Sequence, residues 1–173
     1  NNEQYGFLSK GSDSGEYPLF SINSENKFQF NHGADTALSV DSYSSSQEIL
    51  VTVVLSSGDL SMYVNGSDIE LSESDFSALM IGSTNWVLGA EYDDNTVTNF
   101  FDGRFGEILY LAGTLSDTER ILITRYLSQK WELDSLFDSD NDGVVDSNDL
   151  YPDNATQYTD YDLSDNVDYY TGL

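Results

Sequence analysis

Ile49-Leu50-Val51-Thr52-Val53-Val54-Leu55, then Ser56-Ser57-Gly58-Asp59, then Leu60-Ser61-Met62-Tyr63-Val64-Asn65-Gly66 is the stretch that decides the fold. The first run is almost wholly apolar and rich in Val, which predicts a strand at the centre of a sandwich. The Ser-Ser-Gly-Asp cluster reads as a tight turn. Leu60, Met62 and Val64 then alternate along the returning strand, and Asn65-Gly66 ends it, since both residues tolerate positive φ.

The same grammar extends outward in both directions. Residues 5–8, 19–22 and 28–30 read as strands, with Phe28 and Phe30 on one face. Further strands are expected at 80–81, 86–88 and 105–111. One helix interrupts this β pattern. Ser116-Asp117-Thr118-Glu119 fits a capping box, and Leu122, Ile123, Tyr126, Leu127 and Trp131 recur at helical spacing. That apolar stripe is expected to pack on the sandwich, with Arg125 and Lys130 complementing the helix dipole.

The chain has 173 residues, 31 acidic and 6 basic, for a formal net charge of −25. So few cations argue against nucleic-acid binding and against adhesion to an anionic membrane. No apolar run approaches the ~20 residues that span a bilayer, so no membrane insertion is expected. The opening Asn1-Asn2-Glu3-Gln4 lacks signal-peptide character, so any signal is expected to lie outside this sequence. Cysteine is absent, which removes disulfides, zinc-thiolate sites and Cys nucleophiles. The acids are unevenly placed: residues 131–173 hold 12 of them and no base. A chain this acidic repels itself unless a cation offsets the charge, and Ca²⁺, abundant outside the cytosol, is the expected one.

The central hairpin, a hydrophobic strand, a short turn and Leu-x-Met-Tyr-Val-Asn-Gly, resembles that of laminin G-like domains. Phe101-Asp102-Gly103-Arg104-Phe105-Gly106-Glu107-Ile108-Leu109-Tyr110 resembles their late strand. Leu115-Ser116-Asp117-Thr118-Glu119-Arg120 with Tyr126-Leu127-Ser128-Gln129-Lys130-Trp131 is similar to the closing helix of the bacterial branch. The resemblance covers roughly residues 4–133 and implies an all-β fold. That fold is a concanavalin A-like antiparallel β-sandwich jelly roll with one short C-terminal helix and a calcium-binding loop extension. Such domains place strands before the position of Leu8-Ser9-Lys10-Gly11, where only a few residues stand here. Either the sequence starts late in the domain or another segment, with the chain after Pro152 a candidate, completes the sheet, and something is expected to cover that edge.

Downstream of the helix, Asp138-Ser139-Asp140-Asn141-Asp142-Gly143-Val144-Val145-Asp146-Ser147-Asn148-Asp149 carries side-chain oxygens at loop positions 1, 3, 5, 9 and 12. Gly143 stands at position 6, where the loop turns sharply, and Val144 at position 7 can offer its carbonyl. This is EF-hand-like spacing, and Ca²⁺ suits it because it accepts 6–8 hard oxygens in flexible geometry. The alternative, a solvated acidic linker, leaves that register unexplained. Position 12 is Asp149 rather than Glu, and Leu150-Tyr151-Pro152 follows in place of a helix. The run thus more closely resembles a thrombospondin type 3 repeat. That resemblance implies Asp138, Asp140, Asp142, Asp146 and Asp149 as ligands, with Val144 through its carbonyl. Three segments follow: a sandwich over 1–133, a calcium repeat over 134–153 and an acidic, Tyr-rich tail over 154–173 that could pack on the sandwich.

A second candidate site is the loop Glu91-Tyr92-Asp93-Asp94-Asn95-Thr96. Tyr92 could stack on a sugar face while Asp93, Asp94 and Asn95 grip hydroxyls, and Asp93, Asp94 or Asp102 could also hold a second Ca²⁺; a polar surface loop is the plainer reading. Trp86 reads as core. His32, the single histidine, reads as a surface turn residue. Catalysis is not expected, because Glu70-Leu71-Ser72-Glu73-Ser74-Asp75 lacks glycosidase spacing and no Gly-x-Ser-x-Gly elbow is present. The expectation is a non-catalytic, extracellular, calcium-dependent recognition module of a modular bacterial surface protein, an adhesin. It would bind a glycan or peptide on a cell surface beside neighbouring modules of the same polypeptide. The rivals are a structural spacer and a carbohydrate-binding appendage of a secreted polysaccharide-degrading enzyme.

Overall fold

A computed structural model describes residues 4–11, 18–44, 46–76, 85–93, 96–113, 115–140 and 142–157. Most of the regular structure is antiparallel β-sheet, joined by one helix. Strands β1 (Gln4–Lys10), β2 (Leu19–Asn23), β3 (Phe28–His32), β4 (Asp35–Leu38), β5 (Val51–Ser56), β6 (Asp59–Val64), β7 (Ser67–Asp68), β8 (Trp86–Leu88), β9 (Glu91–Asp93) and β10 (Thr96–Thr98) precede helix α1 (Asp117–Lys130). A five-stranded sheet has the order β4-β3-β2-β1-β8, a three-stranded one β5-β6-β7, and β9 pairs with β10. The strand expected at 80–81 lies outside the described residues.

The chain divides into two compact units. The first holds Asn1–Glu48, Val53–Tyr63 and Asp68–Thr114; the second holds Ile49–Thr52, Val64–Ser67 and Leu115–Leu173. The composition shift near Trp131 and the expected divisions at 133/134 and 153/154 fall inside the second unit.

In the first unit, alternation along β2 and β3 turns one face inward, and Phe28 and Phe30 are both buried there. Phe7 meets Phe20 at 5.1 Å, Phe101 at 4.8 Å and Phe105 at 6.1 Å between ring centroids. His32 follows the same alternation as Phe28 and Phe30 and is only 2% exposed, so the expected surface histidine is a core residue. Register pairs His32 with Asp35 across a two-residue turn in which Gly33 has φ 61°. Strand β1 is covered on both sides, by β2 and by β8 through Leu8–Leu88, Ser9–Val87 and Lys10–Trp86. Of the chain after Pro152, named as one candidate cover, residues 153–157 form no strand and the rest lies outside the described residues.

Other sequence expectations also change in the structure. Residues 49–55 were expected to form a central strand, but β5 is the edge of its sheet and is half-buried throughout. The central strand is β6, whose Leu60, Met62 and Val64 are buried. An apolar run marks burial on two faces, yet partner order is set by the turns on either side, and β6 has a turn at each end. Residues 105–111 form no strand. Gly106 interrupts the segment, and its rings are used for packing instead: Phe105 on Phe101 at 5.0 Å and Tyr110 on Trp86 at 5.0 Å. Trp86, read as core, is half-buried, with the Lys10 ammonium 5.2 Å from its ring centroid.

A further change concerns α1, which lies in the second unit. Its capping box forms as read: the Glu119 amide donates to Ser116 Oγ at 3.3 Å and Glu119 Oε2 accepts the Ser116 amide at 2.9 Å. The helix stops in a Schellman pattern. Glu132 takes φ 57°, its amide reaches the Gln129 carbonyl, and the Leu133 amide donates to the Ser128 carbonyl at 2.7 Å. The buried positions are Arg120, Thr124 and Ser128, while Leu122, Tyr126 and Trp131 of the expected stripe are exposed. Two anchors fix the helix in that rotation: buried Leu133 past its end, and the ion pairs of Arg125 described below.

Candidate metal centre

The acidic loop is fastened at its entry. The 3₁₀ turn Asp134–Leu136 delivers Phe137, which is fully buried. The Asp138 amide donates to the Asn65 carbonyl at 3.1 Å, and Asn65 Oδ1 in turn accepts the Leu50 amide at 3.0 Å. Asn65 and Gly66 have φ 50° and 89°, as a primed hairpin turn requires. Gly66 has a second reason to lack a side chain: a Cβ would overlap the Asp138 carbonyl and sit 2.9 Å from the Phe137 ring. The turn read from the sequence as a strand stop therefore also seats the first acidic residue of the loop.

The loop then folds on its own amides. Asp138 Oδ1 accepts the Asp142 amide at 3.2 Å and Oδ2 accepts the Gly143 amide at 2.9 Å. Asp142 Oδ1 accepts the Val144 amide at 2.8 Å, and Gly143 has φ 94°. Asp149 Oδ1 accepts the Tyr151 amide at 2.8 Å. One carboxylate oxygen each of Asp138, Asp140 and Asp142 lies within 4.8 Å of the others. Asp138 and Asp149 are 8% and 9% exposed. Both oxygens of Asp140, Oδ2 of Asp142 and Oδ2 of Asp149 are buried with no hydrogen-bond donor in bonding geometry.

Four buried carboxylate oxygens without a donor in good bonding geometry form an unfavourable arrangement without a cation, and the Asn154 and Asp142 amides near Asp140 offset it only in part, since burial and repulsion still raise that carboxyl. The electrostatics agree. The Asp140 carboxyl titrates above its ordinary value, chiefly from burial, with Asp142 and Asp149 adding repulsion against the amides of Asn154 and Asp142 nearby. Asp146 also titrates high, through burial opposed by Ser139 and Arg125.

The six residues read as ligands are not equally placed. Asp138, Asp140 and Asp142 converge, and Asp149 is close enough to raise the Asp140 pKa. Asp146 turns elsewhere. Its Oδ1 accepts the Ser139 amide at 2.8 Å, its Oδ2 accepts the Ser139 hydroxyl at 2.6 Å, and Arg125 Nε lies 3.9 Å away. Val144 shows only its amide contact to Asp142. Arg125 and Ser139 were missed in the sequence, because neither residue type signals a metal site and Arg125 stands 13 positions before the loop.

The second candidate site is less assembled. Asp94 and Asn95 lie outside the described residues. Tyr92 is half-buried, and its ring occupies the space a Gly11 side chain would take, so that ring is packed against the chain. Asp93 pairs with Thr96 across the β9–β10 hairpin, and Asp102 is exposed in the irregular segment after it. Sequence reading overlooked a polar cleft of about 280 Å³ beside them, lined by Gln4, Leu19, Gln29, Asn31, Gly33, Thr36 and Glu91. Its amides are linked: Gln29 Nε2 donates to Gln4 Oε1 at 3.1 Å and to Asn31 Oδ1 at 2.9 Å, and Gln4 Nε2 to Glu91 Oε2 at 3.0 Å. The i, i+2 placing of Gln29 and Asn31 on one strand face was the available signal.

No family model matches this chain, and neither a curated protein nor a solved structure is similar to it. Among the described residues no helix is long and apolar enough to cross a membrane.

Proposed function

We propose that the chain is a non-catalytic, calcium-dependent recognition module of an extracellular, modular surface protein. In this reading Asp138, Asp140, Asp142 and Asp149 take a Ca²⁺ ion with the Val144 carbonyl. The ion locks the segment after α1 onto the open end of the central hairpin. The single observation that carries it is the set of buried oxygens on Asp140, Asp142 and Asp149 without a donor in good bonding geometry. Ca²⁺ is favoured over Mg²⁺ because it accepts 6–8 oxygens in flexible geometry, whereas Mg²⁺ demands a near-ideal octahedron and gives up its waters reluctantly. The amide-lined cleft would serve neutral, hydroxyl- or amide-bearing ligands, a glycan or a peptide. As part of the same reading, the resemblance to laminin G-like domains and to the thrombospondin type 3 repeat supports a surface-exposed, adhesin-type parent.

The test is calorimetric titration of the whole chain with CaCl₂, followed by a glycan array and a peptide screen run with Ca²⁺ and with chelator. Asp140→Asn combined with Asp142→Asn is expected to weaken Ca²⁺ at least tenfold while the sheets of the first unit keep their circular-dichroism signature. A wild-type chain that takes up no Ca²⁺ ends the proposal. A spacer role is the second reading, supported by the packing of the Tyr92 ring against Gly11, which removes the candidate sugar platform. Ca²⁺ uptake without any glycan or peptide bound would select it. Selective binding to a plant or algal polysaccharide would select the enzyme-appendage reading instead.

A further inference from the structure

The acid at loop position 9 sits among partners that a metal ligand would have to give up. The Asp146 side chain is 8% exposed, and both its oxygens are taken by Ser139, which is itself buried. Ser139 stands between Asp138 and Asp140, so whatever holds Ser139 sets the spacing of those two carboxylates. The Asp146 amide closes the same loop by donating to the Phe137 carbonyl at 2.6 Å. Arg125 reaches this point from α1. Its side chain is 19% exposed, with Nε 3.9 Å from Asp146 Oδ2 and Nη1 3.5 Å from Asp153 Oδ2. Its Nε and Nη2 are buried and have no hydrogen-bond acceptor in bonding geometry. If Asp146 swung toward an ion, Ser139 would lose two acceptors, and the buried guanidinium would lose its nearest buried counter-charge. Each loss is unfavourable away from water.

We infer that Arg125 and Asp146 are positioning residues rather than ligands: Asp146 braces the Asp138–Asp140 stretch through Ser139, and Arg125 holds Asp146 there. The inference rests on the calcium reading above. It makes Ca²⁺ affinity depend on the helix, because the arginine that compensates the brace is carried by α1. Removing an outer partner of a metal site commonly weakens the metal 10–100-fold, and a brace acts through geometry without entering the inner sphere.

The test uses the whole chain as wild type, Arg125→Gln, Arg125→Lys, Asp146→Asn and the Arg125→Gln/Asp146→Asn double variant. Two readouts are taken: Ca²⁺ affinity by calorimetry, and the number of inner-sphere waters on Tb³⁺ from luminescence decay in H₂O and D₂O. Arg125→Gln is expected to weaken Ca²⁺ about tenfold or more, and Arg125→Lys to recover part of the loss. In the Asp146→Asn background, Arg125→Gln should add little, since the two act as one unit. Asp146→Asn should leave the Tb³⁺ water count unchanged while affinity falls. One additional water in Asp146→Asn would make Asp146 a ligand and overturn the inference, as would Arg125→Gln binding within twofold of wild type. The neutral double variant leaves neither buried charge alone, so the cycle can be read even where Arg125→Gln is unstable. A wild type that binds neither ion would bring down the calcium reading and this inference together, whereas unchanged variants of a binding wild type bring down only the inference.

Discussion

At Asp140 burial and charge conflict, because it sits beside Asp142 and Asp149 with neither oxygen in good bonding geometry to a donor. Its carboxyl is raised from an ordinary 3.8 in the folded chain, so the folded state holds a proton more tightly than the unfolded one. The sign follows from linkage. Without Ca²⁺, the penalty for the buried charge is relieved as pH falls through the raised folded value, and it is fully present at neutral pH. Chelated wild type should therefore gain stability as pH drops from 7 toward the carboxylate range, and Asp140→Asn should flatten that gain. Melting curves of both proteins in chelator across this range check it; equal slopes would refute it. With Ca²⁺ bound the trend reverses, since protons compete for the same oxygens. The acidic spacing of this loop was legible, because ligand register is a matter of counting. The use of Asp146 was not, because hydrogen bonding to Ser139 depends on which way a buried side chain turns.

At the scale of elements, two left-handed positions carry opposite consequences. Gly66 combines φ 89° with a Cβ position that collides with the Asp138 carbonyl. Gly66→Ala should destabilise the chain by more than the ~1–2 kcal/mol of left-handed strain alone, and should weaken Ca²⁺ by displacing Asp138. Denaturant unfolding and calorimetry read the two effects; an unchanged Ca²⁺ affinity would show that the hairpin turn does not seat the loop. Glu132 closes α1 at φ 57° without being glycine. Glu132→Gly should stabilise by about 1 kcal/mol, measured as a shift in denaturant midpoint at constant slope. The hairpin turn and the capping box were legible because each is decided within four residues. The edge position of β5, the packing of residues 105–111 by rings and the rotation of α1 were not. Each depends on partners distant in sequence: neighbouring strands, Phe7 and Trp86, Asp146 and Asp153.

Over the whole molecule, a net charge of −25 makes every folded state self-repelling, and general salt and a clasped ion relieve this differently. Salt screens all the carboxylates weakly, whereas an ion bound only by the folded chain stabilises it by about 2.7 kcal/mol at 100 times its Kd. Millimolar CaCl₂ should raise the melting temperature well beyond NaCl of equal ionic strength, and chelator should reverse it. Equal shifts from the two salts would reduce the acidic loop to ordinary surface charge. The amino-acid sequence alone determined the antiparallel β character, the capped helix, the hairpin turns and the oxygen-rich loop. All of these follow from local sterics, period and spacing. Only the tertiary structure decided which strand is central, which helix face is buried, that His32 is core, and that Arg125 and Ser139 belong with the acidic loop. Those outcomes require long-range burial, where each polar atom must find whatever donor or acceptor the rest of the fold brings near.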